Sequence, residues 1–253
     1  MKIRDLVAWL ESWSPLDREN RSDGMVYSDP DREVGTVAVS LLATPRVLRE
    51  AAAAGASLLL VHEPTVHGGV IPADDPYMQK KRALLEEADI PIYRFHDHSH
   101  FTALDKINLG VLGRLGWEGT FDGRATFTLR APLPLEDILR DVRERLGLHH
   151  LRYIGPRGLA VRTVATLFGA WGERTIYDHL RREEVDLVLA GEACEWSLCE
   201  YVRDAVELGM PRGLLLLGHM GSEREGMAFV AEELRRAHPA LNVLYLDCGE
   251  TYT

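Results

Sequence analysis

The sequence predicts an α/β fold of two halves, with mostly parallel sheets covered by helices. Three observations carry this. Short apolar runs alternate with amphipathic stretches along the chain. The apolar runs are continuous, as in SLLLV at 57–61 and GLLLL at 213–217, the pattern of strands buried on both faces. The rhythm loosens over 117–133, which holds Gly119, Gly123 and Pro132, with Pro134 just beyond. That stretch is the best boundary between a first half, 1–120, and a second, 121–253, whose C-terminal part is expected to pack back on the first.

The elements follow in order. Helical spacing predicts a helix over 3–13, and GTVAVSLL a strand over 35–42. A helix over 45–54 opens on Pro45, which suits the first turn because its missing N–H is not needed there. Strand 57–61, helix 77–88, strand 91–95 and helix 103–115 complete the first half. The second half reads as helix 134–146, strand 160–168, helix 174–183, strand 185–189, helix 195–208, strand 213–217, helix 223–237 and strand 241–246. Glycines 113, 116 and 119 are spaced as turns and do not form a phosphate cradle.

Charge and composition narrow the function. The formal net charge is −10, and no basic face points to nucleic acid. The run Arg140–Arg145 interleaves with acids at helical spacing, as on a solvated helix face. No apolar run approaches the ~20 residues that cross a bilayer, and the N-terminus does not read as a leader. The three cysteines, Cys194, Cys199 and Cys248, form no C-x-x-C. A reducing, cytoplasmic setting without a membrane partner is expected.

The histidines carry the chemistry. Five of the ten fall between 62 and 100: His62, His67, His96, His98 and His100. His62 follows strand 57–61, His96 follows strand 91–95, and His219 comes two residues after strand 213–217. In α/β sheets functional groups gather beyond the carboxyl ends of strands. Each of the three also has a carboxylate close by in sequence: Glu63, Asp97 and Glu223. Imidazole nitrogen with carboxylate oxygen suits zinc, iron, manganese and similar divalent ions, and carboxylates can bridge two of them. Ser222-Glu223-Arg224-Glu225 has the form of a capping box, which makes Ser222 the start of a helix and puts Glu223 in its first turn. His149, His150, His179 and His238 read as ordinary surface residues.

These motifs resemble the dinuclear metal centre family of the NGG-interacting-factor-three type, NIF-three-like, whose members carry the name GTP cyclohydrolase I type 2 homologue. The resemblance spans nearly the whole chain. Asp23-Gly24-Met25-Val26 matches an early family segment loosely. Val61-His62-Glu63-Pro64 stands where the family has H-H-P, and His96-Asp97-His98-Ser99-His100 where it has H-x-x-x-D. Asn108, Leu189-Ala190-Gly191-Glu192 and Gly218-His219-x-x-Ser222-Glu223 also match. Glu63 and His100 depart from the pattern, each in the opposite sense, so a histidine and a carboxylate have traded places with the ligand count kept.

The resemblance implies two intertwined α/β halves and two divalent metal ions held by His62, Glu63, His96, His100, His219 and Glu223. It implies a homohexamer and, weakly, hydrolysis of a nucleotide-like or other small phosphorylated substrate. Asp97, His98 and Glu192 are then candidate proton carriers. For Asp97, orienting a metal-bound imidazole or ligating directly stays open, and His67 and His98 are expected beside the metals or the substrate. A non-catalytic metal carrier or regulatory scaffold is the alternative.

Overall fold

The computed structural model describes every residue except 28, 67–70, 73 and 253. His67 therefore lies outside the described residues. The chain divides into two compact units: 1–106 with 227–249, and 107–226 with 250–253.

The first unit is built on a five-stranded sheet of order β1-β4-β3-β2-β11. Its strands are β1 (Gly24–Tyr27), β2 (Thr36–Ser40), β3 (Leu58–Val61), β4 (Ile92–Arg94) and β11 (Asn242–Tyr245). β11, β2, β3 and β4 run parallel, and β1 adds an antiparallel edge. β3 is buried at all four positions, as its continuous apolar run requires. Helices α1 (Ile3–Trp13), α2 (Pro45–Ala53) and α3 (Pro76–Ala88) belong to this unit. In α1, Ile3, Leu6 and Leu10 form the buried stripe, with i, i+3, i+7 spacing. Both α2 and α3 begin with an acceptor followed by proline. Thr44 accepts from Val47 N–H and Asp75 from Tyr77 N–H, with Pro45 and Pro76 next. A four-residue helix, α4 (Asp97–His100), follows β4.

The second unit carries a six-stranded sheet of order β5-β6-β8-β9-β10-β7. Its strands are β5 (Gly119–Phe121), β6 (Thr126–Pro134), β7 (Arg152–Ile154), β8 (Ala160–Leu167), β9 (Leu187–Ala190) and β10 (Gly213–Leu216). β8, β9 and β10 are parallel, while β5, β6 and β7 pair antiparallel at the flanks. The irregular stretch 117–133 is thus mostly a hairpin. Its Pro132 falls in a register shift between Thr128 and Leu133, and Pro134 ends β6 opposite Ala160, since proline donates nothing to a ladder. The helices are α6 (Leu135–Arg145), α7 (Glu173–Leu180) and α8 (Glu200–Glu207), the last entered through a π-helical turn, Glu195–Cys199.

Two helices carry the chain between the units: α5 (Lys106–Leu115) and α9 (His219–Ala237). Their second-unit ends cross closely at glycines. A Cβ on Gly110 would sit 2.4 Å from the Glu225 carbonyl oxygen, and one on Gly226 2.5 Å from Ile107 Cα. α9 begins at His219, earlier than the helix start at 223 that the sequence suggests. Ser222 is therefore not a cap. It lies inside the helix, accepts the Gly169 N–H at 2.9 Å and donates to the His219 carbonyl at 2.7 Å.

Candidate metal centre

In the first unit, parallel strands β3 and β4 end side by side, with Val61 opposite Arg94. His62 follows β3 directly and is fully buried. His96 comes two residues after β4 and leads into α4, whose last residue is His100. The three rings gather: His62 to His96 is 4.6 Å between centroids, His62 to His100 4.9 Å and His96 to His100 5.2 Å. One ligand nitrogen from each lies within 4.8 Å of the other two.

Each ring is held by its Nδ1. His62 Nδ1 stands 3.2 Å from the Phe95 carbonyl oxygen and 3.2 Å from Ser99 Oγ. His96 Nδ1 lies 3.0 Å from Asp97 Oδ1, and His100 Nδ1 3.0 Å from Asp105 Oδ2. A carbonyl or carboxylate only accepts, so in each ring Nδ1 carries the proton. Nε2 then presents a lone pair. His62 Nε2 and His100 Nε2 are 3.2 Å apart, a close approach of two acceptors that repels unless a cation or an added proton lies between them. Two nitrogens held about 2.0–2.1 Å from one tetrahedral ion stand about 3.3 Å apart. The pair has the spacing of metal ligands.

Electrostatics agree. Burial pushes the His96 pKa down to about 4, helped by the neighbouring His62 and His100 and opposed by its bond to Asp97. The ring is neutral at physiological pH, the form that binds metal. Asp97 is fully buried. Burial alone would raise its pKa. The Arg21 N–H at 2.8 Å and the bonds from His96 and Ser22 prevail, and the carboxyl falls to about 2. Asp97 is thus an anion aimed at His96, also 3.6 Å from Arg18. Glu63 is half-buried, with a carboxylate oxygen within 4.8 Å of a His62 nitrogen. Arg94 sits beside it: its Nη2 is 3.9 Å from Glu63, and its Nε donates to the His62 carbonyl at 3.0 Å.

His98 takes another part. Its Nδ1 is 2.5 Å from Asp23 Oδ2, and its ring is buried against Phe95. The Asp23 carboxylate also accepts the backbone N–H groups of His96, Asp97 and His98, at 2.5, 2.6 and 2.9 Å. It closes the N-terminus of α4 and sets where His96 and His100 point. The loose early motif hid this residue, because nothing local ties it to a histidine 75 positions on.

In the second unit, parallel strands β8, β9 and β10 deliver Gly169, Glu192 and His219 to one edge. His219 is the first residue of α9, so Glu223, one turn on, shares its face. His219 Nδ1 lies 2.7 Å from Glu192 Oε1, and His219 Nε2 3.1 Å from Glu223 Oε2. The arrangement repeats: Nδ1 on an orienting acceptor, Nε2 facing a second acceptor at metal-ligand spacing. Glu223 is buried, and glycine makes the room. A Cβ on Gly169 would lie 2.1 Å from Glu223 Oε1, and one on Gly191 2.6 Å from Ser222 Oγ. Asn108, matched by the family pattern, donates to the Arg124 carbonyl at 3.3 Å. All three cysteines are free thiols.

No helix among the described residues is long and apolar enough to cross a membrane.

Known proteins align with the whole chain. Among curated relatives, a GTP cyclohydrolase 1 type 2 homolog of Clostridium perfringens is 22% identical over 249 residues, covering 93% of this chain and 92% of its own. A homolog of the same name from Campylobacter jejuni is 23% identical over 240 residues, with the same coverage. Among solved structures, protein ybgI, described as of unknown function, superposes with a TM-score of 0.79 at 22% identity, covering 99% of each chain. A Bacillus cereus protein related to NIF3 gives 0.78 at 17%, covering 100% of this chain and 98% of its own. The sequence signature of Duf34/NIF3 (NGG1p interacting factor 3) matches residues 1–250. With that signature running nearly end to end over a chain of the same α/β fold, the protein belongs to the Duf34/NIF3 family.

Proposed function

We propose that this chain binds two divalent cations, zinc, iron or manganese, and uses them to hydrolyse a nucleotide-like or other small phosphorylated substrate. The observation that carries metal binding is the facing of His62 Nε2 and His100 Nε2 at 3.2 Å with both Nδ1 atoms engaged. The donors fit such ions: neutral imidazoles and carboxylates, with orienting acceptors behind them. His62, His96, His100 and Glu63 supply one set, His219 and Glu223 another. Two such ions supply Lewis-acid chemistry, polarising a substrate oxygen and lowering the pKa of water. The chain's own residues orient the ligands: Asp97 holds His96, Asp105 holds His100 and Glu192 holds His219. The hydrolase reading draws on the curated relatives' name. A homohexamer belongs to the same proposal on the strength of the family resemblance, and a cytoplasmic setting on cysteines that form no disulfide.

A second reading, a metal carrier or scaffold without turnover, has its own support. The three candidate proton carriers, Asp97, His98 and Glu192, are each bonded to another site group. The test is elemental analysis per chain on protein purified without added metal, followed by turnover assays on nucleotides and phosphoesters. Two equivalents with turnover support the hydrolase, and exchangeable metal without turnover supports the carrier. Metal content that is the same in the native chain and in His62→Ala and His219→Ala would overturn both.

A further inference from the structure

Beside His219 the second unit holds a cleft of about 470 Å³, lined by His149, His150, Leu151, Arg152, Gly218 and Tyr252. A smaller hollow shares His150, Gly218 and Tyr252 with it and reaches His219 itself, with Glu250 the one carboxylate on its wall. The cleft has the volume of a small-molecule site. Its lining is unusual for this chain. The protein carries 39 acidic against 29 basic residues, yet these six include three nitrogen-bearing side chains and no carboxylate. His149 and His150 are exposed, and among the described residues neither imidazole makes a hydrogen bond or ion pair. Arg152 forms an exposed ion pair with Glu195, a pair weak enough for a ligand to compete with. Tyr252 is 71% exposed.

Several N–H donors without carboxylates fit an oxyanion, and arginine fits phosphate in particular. An exposed aromatic face beside them fits a planar base. We propose that this cleft is the substrate subsite: His149, His150 and Arg152 receive a phosphoryl group, Tyr252 stacks on an aromatic base, and the ligand's reacting end lies toward His219. The inference rests on the metal-centre reading only for that last orientation. The ligand class is a mononucleotide, and His149 and His150 become binding residues although their helix-end setting in the sequence marks them as plain surface.

The experiment is calorimetric titration of metal-stripped and metal-loaded protein with GMP and AMP, with guanosine and adenosine as phosphate-free counterparts. The native chain binds a nucleotide, and its nucleoside binds about tenfold more weakly or worse. His150→Ala with Arg152→Ala removes that difference, and Tyr252→Ala weakens nucleotide and nucleoside alike. All these side chains are solvent-facing, so the variants keep the native melting temperature and metal content. No nucleotide binding by the native chain at millimolar concentration overturns the proposal, as does binding that the double variant leaves intact. Nucleotide binding by a chain that takes up no metal even on loading would sink the metal centre and keep the subsite. Two bound metals with no nucleotide binding would do the reverse.

Discussion

Asp23 Oδ2 stands 2.5 Å from the ring of His98 and 2.9 Å from its backbone nitrogen, while Oδ1 accepts the N–H groups of His96 and Asp97. One buried carboxylate thereby fixes both ends of the His96–His98 segment. Removing it orphans several donors. Asp23→Ala is expected to cost about 2–4 kcal/mol, the sum of a lost cap and unsatisfied buried groups. It is also expected to weaken metal binding about 10–100-fold, as loss of an orienting partner does. Denaturant unfolding and a competitive chelator titration measure the two. Asp23→Asn keeps an acceptor and should recover part of both. Unchanged metal affinity in Asp23→Ala would show that α4 holds its histidines without this residue.

The pH dependence of metal-free protein follows from His96 and Asp97. An unfolded His96 takes a proton near its ordinary value of 6.5, and the folded one only near 4. Between those values the unfolded chain binds more protons, so stability falls as pH drops from about 6.5 to about 4. Asp97 has the opposite origin and the same direction. Its folded pKa of about 2 lies below its ordinary 3.8. Its ionised carboxylate stabilises the fold above the ordinary value, and that contribution is lost as pH falls through 3.8 toward 2. The difference corresponds to about 2 kcal/mol. Urea unfolding across pH 7 to 2 should therefore show two declines. His96→Gln flattens the first, and Asp97→Asn starts lower and converges with the native chain near pH 2.

The trade between Glu63 and His100 has a direct test. His100 belongs to the histidine cluster and Glu63 lies near His62. If the two positions have exchanged ligand types, Glu63→His and His100→Asp each unbalance the set, and the double variant restores it. Each single change is expected to lose about one metal equivalent, and the double change to regain it. A cycle that adds rather than cancels would mean the positions are independent.

Much of this was legible from strand ends. His62 stands where a continuous apolar run stops and His96 where a short β-branched and aromatic run stops, and runs that short, between turn signals, read as strands. His219 and Glu223 were readable as a pair, but their turn was not. Ser222 fits a local capping pattern, and only the backbone, whose Ser222 N–H already bonds the Gly218 carbonyl at 3.0 Å, shows that the helix starts at His219. β1, β5 and β7 escaped notice because three- or four-residue edge strands carry too few side chains for a period, and the nine-residue β6 because its glycine- and proline-flanked stretch read as a boundary. Asp23 was hidden for another reason. A capping carboxylate near its helix in sequence is visible, and one 73 residues upstream is not.

Gly169 left no trace in the sequence either, and it makes the sharpest prediction. Its φ of +77° lies in the left-handed region, where a side chain is strained. Any Cβ there would also meet the Glu223 carboxylate at 2.1 Å. That carboxylate is buried, and it faces His219 Nε2 at 3.1 Å. Gly169→Ala should therefore do two things at once. The backbone strain and the displaced buried charge cost about 2–4 kcal/mol. The shifted Glu223 separates from His219, so one metal equivalent is lost while the His62, His96 and His100 set keeps its own. Gly172→Ala is the control, since open space surrounds that position and its φ is −60°. Elemental analysis and thermal unfolding of the two variants decide the matter. Equal metal content in both would mean that Glu223 does not hold a cation.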